Sequence, residues 1–176
     1  RAVEGKYLMA DAFYRLEDKE KALQHYYAIS DEISFSRYNR IIQRIAELEF
    51  ALNNYGKSIS FFKQLEEIAT TKKEELSAWS GLMKAYYLTD EFELSIDYGK
   101  LILEKGQVAL NAKNEALLLI AKASLEIGDN TQGRDYLERT VEGAKDENGA
   151  EASYLIAEIL VLNHVDGLNQ PSKQAR

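Results

Sequence analysis

The sequence predicts an all-α protein, a superhelix of stacked antiparallel helix hairpins with about nine helices. Two observations support this fold class. Apolar residues recur with the 3.6-residue period of an amphipathic helix along most of the chain. Small residues also recur once per hairpin at a nearly constant interval, which is typical of a stacked helical repeat.

The segment from Trp79 to Tyr98 shows one whole hairpin. Its first apolar stripe, spaced i, i+3, i+4, i+7 and i+8, consists of Trp79, Leu82, Met83, Tyr86 and Tyr87. Polar residues interrupt the pattern, and Asp90 with Glu93 is predicted to form a capping box that starts a second helix. The stripe of that second helix consists of Phe92, Ser95, Ile96, Gly99 and Leu103. Two helices with so short a connection run antiparallel and pack their stripes together.

The other helices follow in chain order from equivalent stripes. They are predicted around residues 7–14, 22–29, 41–50, 55–65, 117–127, 136–141 and 154–160. Lys105 and Gly106 have the residue types expected at the end of the hairpin described above. We expect a repeat domain over residues 1–165 and a C-terminal tail over 166–176. Since Arg1 is not an initiator Met, the chain is expected to be a segment of a longer protein.

Two series of residues set the period of the repeat. The first-helix slot holds Ala10, Ala46, Met83, Ala121 and Ala157, at intervals of 36, 37, 38 and 36 residues. The second-helix slot holds Ala22, Ser58, Ser95 and Gly133, at intervals of 36, 37 and 38. A small residue lets two helices approach closely at their crossing point, so these slots are predicted to lie where the helices of each hairpin meet. Gly81, inside a helix, is predicted to mark a close approach by a neighbour.

These residues resemble the tetratricopeptide repeat, whose pattern is W-x2-L-G-x2-Y followed by A-x3-F. The third unit matches it with Trp79, Leu82, Tyr86 and Ser95. The other units match with Met9, Ala10, Phe13, Ala22 and Tyr26, then with Ile45, Ala46, Ser58 and Phe62, and more poorly with Leu117, Ile120, Ala121, Gly133 and Leu137. The resemblance implies a right-handed solenoid of about four and a half repeats. The period exceeds the family's usual 34 residues or so, and the only proline is Pro171.

Proteins of this family are generally scaffolds that hold a peptide or a partner helix on a concave face lined by the first helix of each hairpin. The resemblance therefore implies a set of partner-binding residues on that face, namely Tyr7, Asp11, Tyr14, Gln43, Glu47, Phe50, Ser80, Lys84, Tyr87, Leu118, Lys122 and Leu125. Among them Tyr14, Phe50 and Tyr87 are expected to form an aromatic ladder. The alternative is that these rings are plain core, buried against the next repeat.

Composition and charge narrow the function classes. The net charge of −7 and the pI near 5.0 argue against a nucleic-acid partner, which basic residues would have to bind. The longest apolar run, 116–121, is too short for a membrane span. With no cysteine, the compartment stays open between cytoplasmic and periplasmic or secreted. Two histidines, His25 and His164, offer no zinc motif or catalytic triad, so we expect no enzyme activity, metal or cofactor.

Two functions remain in view. The first is a protein- or peptide-binding scaffold that mediates protein–protein interaction within a larger protein or complex. The second is a structural spacer or oligomerisation module with no peptide groove in use. The ninth predicted helix lacks a clear partner in the sequence, so a homo-oligomer formed through the terminal repeats belongs to this second hypothesis.

Overall fold

The computed structural model describes residues 2–105 and 108–169, and within them it contains nine α-helices and no strand. The helices are α1 (Ala2–Arg15), α2 (Lys19–Tyr27), α3 (Tyr38–Ala51), α4 (Tyr55–Ile68), α5 (Lys72–Leu88), α6 (Phe92–Glu104), α7 (Leu110–Glu126), α8 (Asn130–Gly143) and α9 (Glu147–Asn169). The predicted all-α class and the number of helices are confirmed. None of these helices is long and apolar enough to cross a membrane.

The helices pack in a linear succession. Each helix contacts the next one along the chain, and α3, α5, α7 and α9 also contact one another in that order. The chain therefore forms four hairpins, α1–α2, α3–α4, α5–α6 and α7–α8, followed by α9 in the position of a first helix. This arrangement is a helical-repeat superhelix, because each hairpin covers its apolar side only with help from its neighbours.

The small residues lie where the two helices of each hairpin cross, as predicted. Both slots of the first four hairpins are buried. The hydroxyl of Ser58 donates to the carbonyl oxygen of Ala46 at 2.9 Å, and that of Ser95 donates to the carbonyl oxygen of Met83 at the same distance. The same contact is thus made in two consecutive repeats, with a separation of 12 residues each time. Helix backbones can approach this closely only when the intervening side chain is small.

Two glycines mark further close approaches. A Cβ at Gly99 would lie 2.5 Å from Cγ1 of Ile120 on α7, so a larger residue has no room there. A Cβ at Gly81 would collide with the ring of Phe62, which packs from α4 against the backbone of α5. The prediction that Gly81 permits a close approach by a neighbour is confirmed.

The turn inside each hairpin has the same backbone conformation. Glu17, Asn53, Asp90 and Gly128 have φ values of 59°, 62°, 61° and 80°, in the left-handed region. After each of them the next backbone N–H bonds back to the last turn of the first helix, as from Asn54 to the carbonyl of Glu49 at 2.8 Å. This is the helix-ending motif in which a left-handed residue lets the chain reverse. Three of the four positions are not glycine, so this common feature was not evident from the sequence.

The predicted capping box at Asp90 and Glu93 is wrong. Asp90 is the left-handed residue of the turn, and Glu91, the residue before α6, makes no side-chain hydrogen bond to the helix start. A capping box is formed instead by Thr71 and Glu74 at the start of α5. The difference arises because a left-handed residue that ends one helix cannot also have the extended conformation of an N-cap.

Some outer positions also differ from the predicted stripes. Met9, placed in the first apolar stripe, is 52% exposed, and Val141 of the eighth stripe is 38% exposed.

Helix α9 continues to Asn169, past the predicted domain end at 165. Lys105 follows α6 directly, whereas Gly106, Pro171 and the rest of the tail from 170 lie outside the described residues.

Candidate partner-binding surface

The first-helix surface, formed by α1, α3, α5 and α7, contains all the residues predicted to contact a partner. Ten of them are partly exposed, namely Asp11, Tyr14, Gln43, Glu47, Phe50, Ser80, Lys84, Tyr87, Lys122 and Leu125. Tyr7 and Leu118 differ, because they are only 7% and 5% exposed and lie in the core. Tyr7 packs edge-on against Tyr26 and beside Phe35. Tyr7 and Leu118 are therefore not part of the exposed first-helix surface.

Glu47 is the centre of a polar cluster that joins the first three hairpins. Its carboxylate accepts hydrogen bonds from Gln43 at 2.7 Å and Arg44 at 2.9 Å, and from the Tyr14 hydroxyl at 3.5 Å. Gln43 also donates to the hydroxyl of Ser77 on α5 at 3.0 Å. The cluster holds the side chains of α1, α3 and α5 in fixed relative positions on one surface.

Arg44 lies over the ring of Tyr14, with its guanidinium carbon 3.7 Å from the ring centroid. A guanidinium stacked on an aromatic face is held by a cation–π attraction. The pKa of the Tyr14 hydroxyl is raised, first by burial and then by the nearby Glu47 carboxylate, so the hydroxyl stays protonated and remains a donor. Tyr14 thus presents one covered ring face and a fixed hydroxyl.

Two depressions lie between successive first helices. The α1–α3 depression has a volume of about 330 Å³ and is lined by Tyr14, Glu17, Lys19, Glu47, Leu48 and Ala51. The α3–α5 depression has a volume of about 240 Å³ and is lined by Glu47, Phe50, Phe62, Ser77, Ser80, Gly81 and Lys84. Five of the predicted residues line one or both of them. Phe62, Ser77 and Gly81 were not predicted as site residues, although Gly81 was recognised as a point of close approach.

The other end of the surface carries two equivalent ion pairs. Lys84 on α5 pairs with Glu115 on α7 at 2.9 Å, and Lys122 on α7 pairs with Glu151 on α9 at 2.7 Å. The two lysines occupy the same position in consecutive repeats, as do the two glutamates. All four side chains are between 29% and 47% exposed, so each pair contributes only about 0–1 kcal/mol to stability. Their charged groups remain accessible to a ligand.

The aromatic ladder is half buried, between the two alternatives considered from the sequence. Phe50 packs edge-on against Tyr55 with 5.4 Å between ring centroids, and Tyr87 packs in the same way against Phe92 at 5.6 Å. These are equivalent pairs in consecutive hairpins, each closing the end of a first helix against the start of the second. The Lys122 ammonium lies 5.5 Å from the centroid of the Tyr87 ring. Phe50 and Tyr87 therefore support their own hairpins, and all three rings of the ladder keep an exposed part.

Potential metal ligands are dispersed over the described residues. Among them no group of three or more His, Asp or Glu side chains is arranged to hold a metal ion. His25 stacks on the ring of Phe13 with 5.1 Å between centroids, which is a packing contact. The surface thus offers hydrogen bonds, charges and apolar depressions.

A linear stack of hairpins with such a surface defines a class of protein, the helical-repeat scaffold that generally takes part in protein–protein interaction. Within that class, residues 115–142 match the family model of the tetratricopeptide repeat. This segment is the fourth unit, which carries the poorer form of the motif. The match and the fold together confirm the resemblance to the tetratricopeptide repeat family.

Solved structures with low sequence identity share the fold. PilF of Pseudomonas aeruginosa superimposes with a TM-score of 0.66 at 12% identity, covering 86% of this chain and 66% of the PilF chain. The RS-1 ArsTM double mutant of MamA superimposes with a TM-score of 0.69 at 9% identity, covering 93% of this chain and 96% of the other. Identities this low indicate a common fold alone. No curated protein sequence matches the chain.

Proposed function

We propose that this chain is a non-enzymatic scaffold that binds a peptide segment of another protein across its first-helix surface. The observation that carries the proposal is the continuous row of partly exposed residues on successive first helices, which lines two depressions between them.

The chemistry of the row suits a peptide. Aromatic edges at Tyr14, Phe50 and Tyr87 offer apolar contact, and rings of this kind are enriched where proteins meet. Glu47, Lys84 and Lys122 add charges of both signs, which can fix the register of a bound segment. The overall charge of −7 favours a protein partner over a nucleic acid.

The proposal is tested by capture from an extract followed by direct binding. The full chain is compared with a triple variant in which Tyr14, Phe50 and Tyr87 are changed to alanine. A matched control changes Tyr136 and Leu94, which lie on the second helices α8 and α6, to alanine. Each captured protein is then cut into overlapping peptides, and their affinities are measured by calorimetry.

The expected result is a peptide that binds the wild-type chain and the control but binds the triple variant at least about tenfold more weakly, since truncating even one hot-spot residue of an interface costs about 2 kcal/mol or more. Circular dichroism must show that all three proteins are equally helical. A partner bound equally well by the triple variant would contradict the proposal, because its site would then lie elsewhere.

A second candidate function is self-association through α9. In every earlier hairpin the first-helix slot is buried by a second helix, whereas Ala157, in the same slot of α9, is exposed. The same helix exposes large apolar side chains, namely Tyr154 at 67%, Leu160 at 49%, Val161 at 62%, Leu162 at 58% and Val165 at 46%. Exposed apolar side chains grouped on one element are typical of an association surface. The occupant we propose is α9 of a second copy.

Sedimentation of the full chain over a hundredfold range of concentration tests this second function. A dimer is expected at high concentration, and the change of Leu160 and Val161 to glutamate is expected to shift it to monomer, since burying a carboxylate without a partner is unfavourable. A chain that stays monomeric throughout would refute this role without bearing on peptide binding.

A further inference from the structure

The α3–α5 depression lies where a first-helix position has no side chain and a second-helix ring takes its place. Equivalent positions in the neighbouring repeats hold Arg44 and Leu119, whereas the third repeat has Gly81. The ring of Phe62 occupies the space beside the Gly81 backbone and is itself only 4% exposed. The depression therefore has an apolar floor, with Phe50 as one wall and the hydroxyl-bearing residues Ser77 and Ser80 as the other.

The size of this depression limits what it can hold. Sites for drug-sized molecules usually measure about 300–1,000 Å³. The α3–α5 depression, at about 240 Å³, is smaller and opens onto the surface. It therefore suits one apolar side chain that enters from a longer segment lying across the surface, rather than a whole small molecule.

Opposite charges flank the depression and retain hydrogen-bonding capacity. The Glu47 carboxylate has about four acceptor sites, and within the described residues Gln43, Arg44 and Tyr14 donate to three of them. The Lys84 ammonium has three donor hydrogens, and its pair with Glu115 uses one. A ligand cation can thus join Glu47 and a ligand anion can join Lys84 without breaking the existing contacts.

The separation of the two charges sets their spacing in a ligand. Glu47 and Lys84 occupy the same position on α3 and α5, which pack directly against each other. Axes of packed helices lie about 8–10 Å apart, and an extended peptide advances about 3.3 Å per residue. Side chains of an extended peptide alternate between its two faces, so the residues that face the surface are two positions apart. An apolar residue that enters the depression is therefore flanked, two positions away on each side, by the residues that reach Glu47 and Lys84. These flanking residues are about 13 Å apart, and long charged side chains cover the difference from the helix spacing.

We propose that the α3–α5 depression is a specificity site for an extended peptide in which an apolar residue lies between a basic residue and an acidic residue, each two positions away from it. The basic side chain binds Glu47, the apolar one lies on Phe62 beside Gly81, and the acidic one binds Lys84. This inference rests on the proposed function, since it names the kind of peptide that the first-helix surface prefers.

The test begins with a library of random dodecapeptides displayed on phage and selected on the full chain. Selected peptides are synthesised, and their dissociation constants are measured with the wild-type chain and with Ser80→Leu, which fills the depression from its rim. The matched control is Ser60→Leu, at an exposed position on α4 outside the first-helix surface. Circular dichroism confirms that both variants keep their helices.

The expected peptides carry the basic–apolar–acidic pattern in either chain direction. Ser80→Leu is expected to weaken their binding by about tenfold to a hundredfold, the range for losing the burial of one apolar side chain. Ser60→Leu should leave binding unchanged. Lys84→Met should weaken binding by about two- to fivefold, as for an exposed ion pair, and should have no effect once the acidic residue of the peptide is changed to glutamine.

The outcomes separate this inference from the proposed function. Peptides that lose affinity for the Tyr14, Phe50 and Tyr87 triple variant but bind Ser80→Leu normally would overturn the specificity site and leave the scaffold function intact. Equal effects of Lys84→Met on the acidic and the glutamine peptide would overturn the assignment of Lys84. Peptides insensitive to every one of these variants would contradict the scaffold function itself.

Discussion

Replacing Gly99 with alanine tests the close packing on which the stack depends. In an open helix, glycine is less favourable than alanine by about 1 kcal/mol, so this change would ordinarily stabilise the protein. Here the new Cβ would lie 2.5 Å from Cγ1 and 2.9 Å from Cδ1 of Ile120, and 3.4 Å from the sulfur of Met83. Ile120 and Met83 are both fully buried, so neither side chain can move aside into solvent.

The sign of the effect follows from comparing two magnitudes. Forcing an extra methyl group into a packed core costs about 1–3 kcal/mol, which exceeds the gain of about 1 kcal/mol in helix propensity. We expect Gly99→Ala to destabilise the chain by roughly 0–2 kcal/mol. The matched control is Gly5→Ala on α1, where nothing lies within 4 Å of the new Cβ and the propensity gain should remain. The two variants should therefore differ by about 1–3 kcal/mol.

Urea unfolding followed by circular dichroism measures this difference in free energy. In a thermal melt of a chain of this size, each kcal/mol corresponds to roughly 2–4 °C in melting temperature. A double-mutant cycle with Ile120→Ala isolates the contact. Truncation of Ile120 alone should cost about 2–5 kcal/mol and should cost less when Gly99 is already alanine. Equal stabilisation by Gly99→Ala and Gly5→Ala would refute the reasoning, because α7 would then not press against the backbone of α6.

Three further predictions concern changes at single residues. Burial raises the pKa of Glu74, but hydrogen bonds from Thr70, Asn39 and Thr71 together lower it more, so the pKa lies below 4.5. Glu74 therefore stabilises the fold above pH 4.5, and this stabilisation is lost as the pH falls through its folded pKa. In a series of urea titrations at different pH, Glu74→Gln should lack that loss. Tyr27→Phe removes the hydroxyl that donates to the buried Glu49 carboxylate at 2.5 Å, and urea unfolding should show a loss of about 1–3 kcal/mol. Glu17→Gly should raise the melting temperature slightly, since a non-glycine residue at φ 59° costs roughly 1 kcal/mol.

The crossing points of the hairpins could be predicted from sequence because they depend on residue size at fixed intervals. Ala46 and Ser58, or Met83 and Ser95, are recognisable as equivalent without any knowledge of the fold, and the structure places each pair in contact. The choice of the first-helix side as the candidate surface came instead from the resemblance to the tetratricopeptide repeat, and the periodicity only placed individual residues on that side.

The burial of individual surface residues could not be predicted in this way, because it depends on residues distant in sequence. Tyr7 is covered by Phe35, 5.7 Å away between ring centroids, and Phe35 lies in a connection with no helical pattern. Gly81 becomes the edge of a depression only because Phe62 packs beside it from another helix. The turn residues were missed for a different reason: a glutamate such as Glu17 is uncommon in a left-handed backbone, and Asp90 was predicted to start a helix as part of a capping box.

The uniform reversal at Glu17, Asn53, Asp90 and Gly128 divides the chain into parts that tolerate length changes differently. In the first four hairpins the two slots are always 12 residues apart, whereas the stretch from one hairpin to the next varies between 24 and 26 residues. An insertion between slot and reversal would turn one helix by about 100° per residue and misalign the crossing. Length therefore varies outside the 12-residue interval between the two slots, both in the connections and in the helices, since α2 has 9 residues and α4 has 14. The crossing and its reversal form a unit of constant length, whereas the spacing between successive units can change.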